Sequence, residues 1–199
     1  MTYDAEATRR RIFQAATAEF AAHGLAGARI ERIATDARAN KQAIYLYFGG
    51  KEKLFGAVVR AKVDEICHAS GIDPNRLAES VGELFDWYRE HPDLIRLLLW
   101  EALETQGEVQ GEAERRAEYR QNVRDLKDLG LGADLAEPAR TRDAQDWMFT
   151  ILGLVAWNFA VPQLCRLVLD EDDDEAAAAR RRASVMETVR TLAESRRFA

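Results

Sequence analysis

Residues 28–51 read ARIERIATDARANKQAIYLYFGGK, and the fold follows from how this stretch divides. Ile30, Ile33, Ala34 and Ala37 recur at helical spacing and give a first short helix one apolar face. Asp36-Ala37-Arg38-Ala39 breaks the pattern. Asn40 follows as an N-cap, its side-chain oxygen placed to accept an orphan amide of the next helix. Ile44 and Phe48, four apart, supply that helix's buried stripe. Its other face carries Lys41, Gln42, Ala43, Tyr45 and Tyr47, all able to meet a nucleic acid. Two short helices, a three-residue turn and the immediate start of a third helix predict a helix-turn-helix whose second helix reads DNA.

The flanking segments support that head. A helix from about Asp4 to His23 has Ile12, Phe13, Ala16 and Phe20 on its inner face, with Gly24 where a left-handed C-cap belongs. Arg9, Arg10 and Arg11 are open to two readings, a solvated helix end or phosphate contact. Gly49-Gly50 stops the reading helix. A long helix then runs from Lys51 to about Ala69 with Leu54, Phe55, Val58, Val59, Val63 and Ile66 as its stripe. A cation in a first helical turn opposes the helix dipole, so Lys51 invites a phosphate.

The run IATDARANKQAIYLYFGGKEKLF (33–55), with RRRIFQAATAEFAAHG (9–24) before it, resembles the DNA-binding domain of the TetR family of transcriptional regulators. Ile33-Ala34, Tyr45 to Phe48 and Lys51-Glu52-Lys53-Leu54 carry the resemblance, which covers about residues 5–65. It implies an all-α homodimeric repressor that couples a small-molecule effector to release of double-stranded operator DNA. The family usually has Gly where this chain has Arg38. A left-handed residue other than Gly costs roughly 1–2 kcal/mol at such a place.

The chain has 199 residues, 47% hydrophobic and 31% charged, with only 4 Pro, which suits an all-α protein of two parts. The expected division is a helix-turn-helix domain over 1–50 and a helical effector-binding and dimerisation domain over 70–199. Net charge is −6, yet residues 1–53 carry nine Lys/Arg against six Asp/Glu, a local +3, leaving −9 on the remainder. Attraction to phosphate is local, so the basic end can engage DNA while the acidic bulk stays off it. Cys67 and Cys165 lie far apart in helical patterns and read as buried free thiols. The N-terminus lacks the apolar core of a signal peptide, so a cytoplasmic protein is expected.

In the body, Ser70-Gly71-Ile72-Asp73-Pro74 marks a boundary. Helices are expected over about 75–90, with Leu77, Val81, Leu84, Phe85 and Tyr88 inward, then over about 93–105 and 112–129. Polar loops at 106–111 and GLGADLAEPART (130–141) separate them. The run WMFTILGLVAWNFAVPQLC (147–165) holds no charge. Its length approaches a bilayer span, but Thr150, Asn158, Pro162 and Gln163 inside it favour a core helix over a membrane helix. A last helix, about 174–196, starts in the acid run 171–175, which complements its dipole. Its stripe Val185, Met186, Val189 and Leu192 suggests a homodimer through the last two helices, with Gly153, Ala156 and Ala160 allowing close approach.

Base readout falls to Lys41 and Gln42, with Ala43 against a thymine methyl, while Arg29, Tyr45, Tyr47 and Lys51 suit phosphates. Of the two tyrosines, Tyr45 is the more expected to be partly buried. Asn40 joins this set as the cap. For a lipophilic or aromatic effector the candidates are Phe85, Tyr88, Trp100, Glu101, Tyr119, Phe149, Trp157 and Asn158. Aromatics at helical spacing are more often core. Glu101, on the face of Leu94, Leu97 and Leu98, reads first as a carboxylate paired with an Arg such as Arg120 or Arg124. Its second reading is a partner for a cationic or hydroxylated ligand. An enzyme finds no support: there is no metal-ligand spacing among His23, His68 and His91, no phosphate loop and no catalytic dyad. No metal or cofactor is expected. The competing class is a helical protein-interaction adaptor that has lost operator binding, with Arg38 as its symptom.

Overall fold

The computed structural model describes residues 2–69, 73–105, 109–128, 135–172 and 174–197. Among the described residues every regular element is helical, with no strand: α1 (Thr2–Gly27), α2 (Ile30–Asp36), α3 (Lys41–Phe48), α4 (Lys51–Ala69), a 3-10 turn (Pro74–Arg76), α5 (Leu77–Glu90), α6 (Pro92–Glu104), α7 (Glu112–Asp128), α8 (Ala139–Ala160), α9 (Pro162–Leu169) and α10 (Glu175–Arg197). Of the expected breaks at 70–74, 106–111 and 130–141, residues 70–72, 106–108 and 130–134 lie outside the described residues. Two compact units form, one from residues 1–65 with 92–115, the other from 66–91 with 116–199.

In the first unit, Ile12, Ala16 and Phe20 of α1, Ile33 of α2, Ile44 of α3 and Leu54, Phe55 and Val58 of α4 are buried together. Phe20 and Phe55 meet edge to face, 5.1 Å apart. Burying several such side chains, at about 1.5–3 kcal/mol each, is what fixes helices too short to persist alone. Gly24 has the positive φ (68°) expected of a cap, but its ψ of −176° carries the chain into one more helical turn. A Cβ there would stand 2.8 Å from Trp100 and Glu104 of α6. Both the positive φ and the close packing against α6 therefore call for glycine at this kink. Glu104 accepts the amides of Leu25 (2.5 Å) and Ala26 (3.0 Å), and Arg96 Nε donates to the Ala21 carbonyl at 2.7 Å.

In the second unit, α5 lays Leu77, Val81, Phe85 and Tyr88 inward against α8 and α10. Gly82 permits the approach of α10: a Cβ would stand 2.7 Å from Arg182, whose guanidinium grips the Asp86 carboxylate. Val185 and Val189 of α10 are buried within this unit, where α10 packs on α5, so half of the stripe expected at a dimer seam is already covered; Met186 is half-buried and Leu192 exposed. Asp174 caps α10, its Oδ1 accepting the Ala177 amide at 2.8 Å, which gives the acid run a structural role.

The charge-free run is not one helix. α8 ends at Ala160 and α9 starts at Pro162, with their axes 88° apart. Pro162 has no amide to give and forces Val161 out of helical torsions (φ −132°, ψ 61°). Nor is the run buried on every side. Trp147, Met148, Ile151 and Val155 face inward, whereas Phe149 and Trp157 are 80% and 58% exposed and α9 buries nothing. Among the described residues no single helix is long and apolar enough to cross a membrane. Cys67 and Cys165 form no disulfide and are half-buried, less enclosed than their helical setting suggested.

Candidate nucleic-acid interface

The head is built by α1 holding α2 and α3. Glu19, buried on α1, accepts the Arg29 amide at 2.8 Å, an orphan donor at the start of α2, and binds Arg32 Nε at 2.7 Å. Burial pushes its carboxyl up, but the bonds from Arg32 and from the Arg29 amide outweigh this and hold it below the ordinary range. At the other end of α2, Arg11 Nε donates to the Ala37 carbonyl at 3.0 Å. Of the three arginines left open above, Arg11 thus ties α1 to α2. Arg9 lies over the Phe48 ring at 5.5 Å, and Arg10 faces Glu6 on the surface.

The turn between α2 and α3 closes as a Schellman motif. Arg38 N donates to Thr35 O (3.0 Å) and Ala39 N reaches back to Ala34 O (2.9 Å). This geometry needs a left-handed residue at Arg38, and Arg38 supplies it with φ 50°. The chain accepts the strain and the turn is kept. Asn40 then caps α3, its Oδ1 accepting the Gln42 amide at 2.9 Å.

On α3 only Ile44 is fully buried. Lys41 and Gln42 are exposed, and Ala43 is half-buried. The two tyrosines are the reverse of expectation: Tyr45 is 58% exposed and Tyr47 half-buried. At about 100° per residue, Tyr47 is rotated only about 60° from Ile44, while Tyr45 is rotated about 100° away. Leu46, opposite Ile44, is 78% exposed and was not among the sequence candidates. Its signal was available, an aliphatic residue four places after Gln42 on a face otherwise polar. Two cations of the set have partners within the head. Lys41 Nζ sits 2.6 Å from Glu31 Oε1, and Lys51 Nζ donates to the Ala26 carbonyl at 3.2 Å. The second bond gives Lys51 a structural reason for its place in a first turn. Arg29 is exposed at the N-cap of α2.

The effector candidates are divided between the two units. Glu101 is buried and bound at 2.9 and 3.0 Å by Arg115, not by Arg120 or Arg124, with both side chains near 10% exposed. Trp100 lies beside Gly24 on α1. Both belong to the first unit. Asn158 Nδ2 donates to the Leu154 carbonyl one turn back, at 2.8 Å, which gives its amide nitrogen a partner within α8. Phe149 and Trp157 face outward on α8, because the 3.6-residue period that buries Ile151 and Val155 turns them away. Phe85 and Tyr88 remain together. Phe159 meets Phe85 at 4.9 Å and stacks on Tyr88 at 5.8 Å. Burial, with Tyr119 and Cys67 nearby, pushes the Tyr88 hydroxyl well above its ordinary value and keeps it a neutral donor.

Residues 12–58 match the family model of the bacterial regulatory proteins of the tetR family, and residues 76–191 match that of the tetracyclin repressor-like C-terminal domain. The HTH-type transcriptional repressor SCO4008 of Streptomyces coelicolor is 38% identical over 167 residues, covering 83% of this chain and 85% of that protein. The crystal structure of a transcriptional regulator of the same organism, SCO4942, superposes with a TM-score of 0.77 at 33% identity, covering 93% of this chain and 97% of that one. FadR of Bacillus subtilis, solved with stearoyl-CoA, shares the fold at a TM-score of 0.63 and 19% identity, covering 91% of this chain and 97% of its own.

Proposed function

This chain belongs to the TetR family, as a helix-turn-helix transcriptional repressor and not an enzyme, and from that premise we propose how it reads its operator and lets it go. Residues 1–50 form the DNA-binding domain and 70–199 the effector-binding and dimerisation domain. Helix α3 enters the major groove. Lys41 and Gln42 at its exposed N-terminal end address guanine O6/N7 and adenine N6/N7, and Ala43 and Leu46 meet thymine methyls. Tyr45, Arg29 and Lys51 take phosphates, with a smaller part for Tyr47. Asn40 holds the start of the helix at the groove. The observation that carries this reading is the capped α3 itself, sealed by Ile44 and presenting Lys41, Gln42, Tyr45 and Leu46 outward.

A second copy covers the outer faces of the last helices. Phe149 and Trp157 lie on one side of α8 with Gly153 between them, where a Cβ would meet only open space, and Leu167 and Val168 of α9 are exposed as well. So much bare apolar surface on one segment supports a homodimer, whose two heads then meet half-sites one helical turn or a multiple apart. A small lipophilic or aromatic effector is the relieving ligand, with Phe85, Tyr88 and Tyr119 offering apolar walls and a neutral hydroxyl. The site of action is the cytoplasm, where operator DNA is. The adaptor reading loses its motive, because Arg38 keeps the left-handed turn it was suspected of breaking.

The test is fluorescence anisotropy on the DNA upstream of the protein's own gene, or on a duplex selected from random sequence, across a salt series. Steep salt dependence and a preferred duplex are expected. Lys41→Ala relaxes sequence preference, whereas Lys51→Ala weakens all duplexes alike and lowers the salt slope by about 1. A flat salt response with no preferred duplex overturns the proposal.

A further inference from the structure

Lys41 occupies an awkward position for a reading cation. It is the first residue of α3, where the helix dipole is positive, and the first turn of α3 contains no acid. The missing negative charge comes from another helix. Glu31, in the first turn of α2, places Oε1 2.6 Å from Lys41 Nζ. Both side chains are more than half exposed, so the pair lies on the surface rather than in the head's core. Lys41 holds Glu31 below the ordinary carboxylate range, so the acid is charged at neutral pH. Arg29 stands near enough to add to this. An exposed ion pair does little for stability. At a groove-facing helix end it does something else. A lysine ammonium has three donors, and one bond to Glu31 fixes the swing of a flexible four-carbon stem while leaving two for a base.

We propose that Glu31 is a positioning residue for operator recognition, holding Lys41 aimed at a guanine edge and discouraging its use as a general phosphate contact. The proposal rests on the reading of Lys41 as a base contact. A carboxylate beside the groove repels the DNA backbone everywhere, so it weakens binding to any sequence. Only a site that presents guanine O6 and N7 to the aimed ammonium recovers the loss. Glu31 therefore raises the ratio between specific and non-specific affinity rather than affinity itself.

The experiment compares wild type, Glu31→Gln, Glu31→Asp and Lys41→Ala on a duplex selected from random sequence and on its scrambled counterpart, by anisotropy over a salt series. Each guanine of the selected duplex is also replaced in turn by 7-deazaguanine, which lacks N7. Glu31→Gln is expected to tighten the scrambled duplex and steepen its salt slope by about one, as a released lysine finds a phosphate. The specific-to-scrambled ratio falls by about tenfold, the scale of one base contact. The 7-deazaguanine penalty at one position shrinks in Glu31→Gln and vanishes in Lys41→Ala, while Glu31→Asp keeps part of it. If Lys41→Ala leaves the ratio unchanged, the base-contact reading fails, and this proposal with it. If Lys41→Ala lowers the ratio but Glu31→Gln changes neither ratio nor slope, that reading stands and the positioning role is overturned. A Glu31→Gln variant that only melts earlier, with binding intact, overturns it equally.

Discussion

Replacing Arg38 by glycine should make this protein more stable, although it deletes a charged side chain and adds nothing. Arg38 is exposed at φ 50°, at the position of a Schellman turn where the two closing bonds demand a left-handed backbone. A residue with a Cβ pays roughly 1–2 kcal/mol there. Glycine removes that strain but gives back about 0.4–1 kcal/mol through the freedom of its unfolded chain. The net gain is about 0.5–1 kcal/mol, which moves a urea midpoint up by about 0.3–0.5 M for a typical slope. Arg38→Ala is the control, since it removes the same charge and keeps the Cβ. Asn tolerates the left-handed region better than most, so the order of stability should be Gly above Asn above Ala. Urea unfolding followed by circular dichroism, at fixed protein concentration, reads the order directly. Equal midpoints for Arg38→Gly and Arg38→Ala would refute the reasoning, because the strain would then contribute nothing.

Three further outcomes follow from the same geometry. Glu19→Gln loses its charged bonds to Arg32 and the Arg29 amide and should destabilise the head by about 1–3 kcal/mol, read by denaturant unfolding. Because the folded-state value of Glu19 is depressed, its contribution is present above the ordinary 4.5 and is lost as pH falls below it, so wild type and variant should converge in acid. Arg115→Met strands the Glu101 carboxylate and should cost about 3–5 kcal/mol, whereas adding Glu101→Leu restores most of it. A double variant no more stable than the single one would count against a purely structural pair. Phe149→Glu with Trp157→Glu should give a monomer by sedimentation velocity while circular dichroism stays unchanged; a persistent dimer would place the second copy elsewhere.

Much of the head was legible in the sequence, and the reason is range. The stripe Ile30-Ile33-Ala34-Ala37, the Asn40 cap, the Ile44 anchor and the buried run of α4 each depend on residues within a turn or two of one another. Helical periodicity and capping chemistry act over that distance, so a chain displays them before it folds. The question raised by Arg38 was legible for the same reason. The α8–α9 break was also local, written in Pro162, but it was outweighed by the absence of charge around it. Hydropathy says that a segment is apolar, not that it is straight or covered.

Pairings across the chain were decided by tertiary structure alone. Glu101 found Arg115 rather than the arginines a turn or more further along α7, Arg11 found the Ala37 carbonyl, and Lys41 found Glu31. The rotation of α3 about Ile44 exposed Tyr45 and Leu46 and drew Tyr47 inward. Packing against α5 covered Val185 and Val189 of the α10 stripe, while Phe149 and Trp157 of α8 stayed outside. A sequence determines which residues want burial and where helices begin and end. Which polar group meets which, and which apolar face is left for a partner, depends on how helices rotate and cross when their stripes interlock.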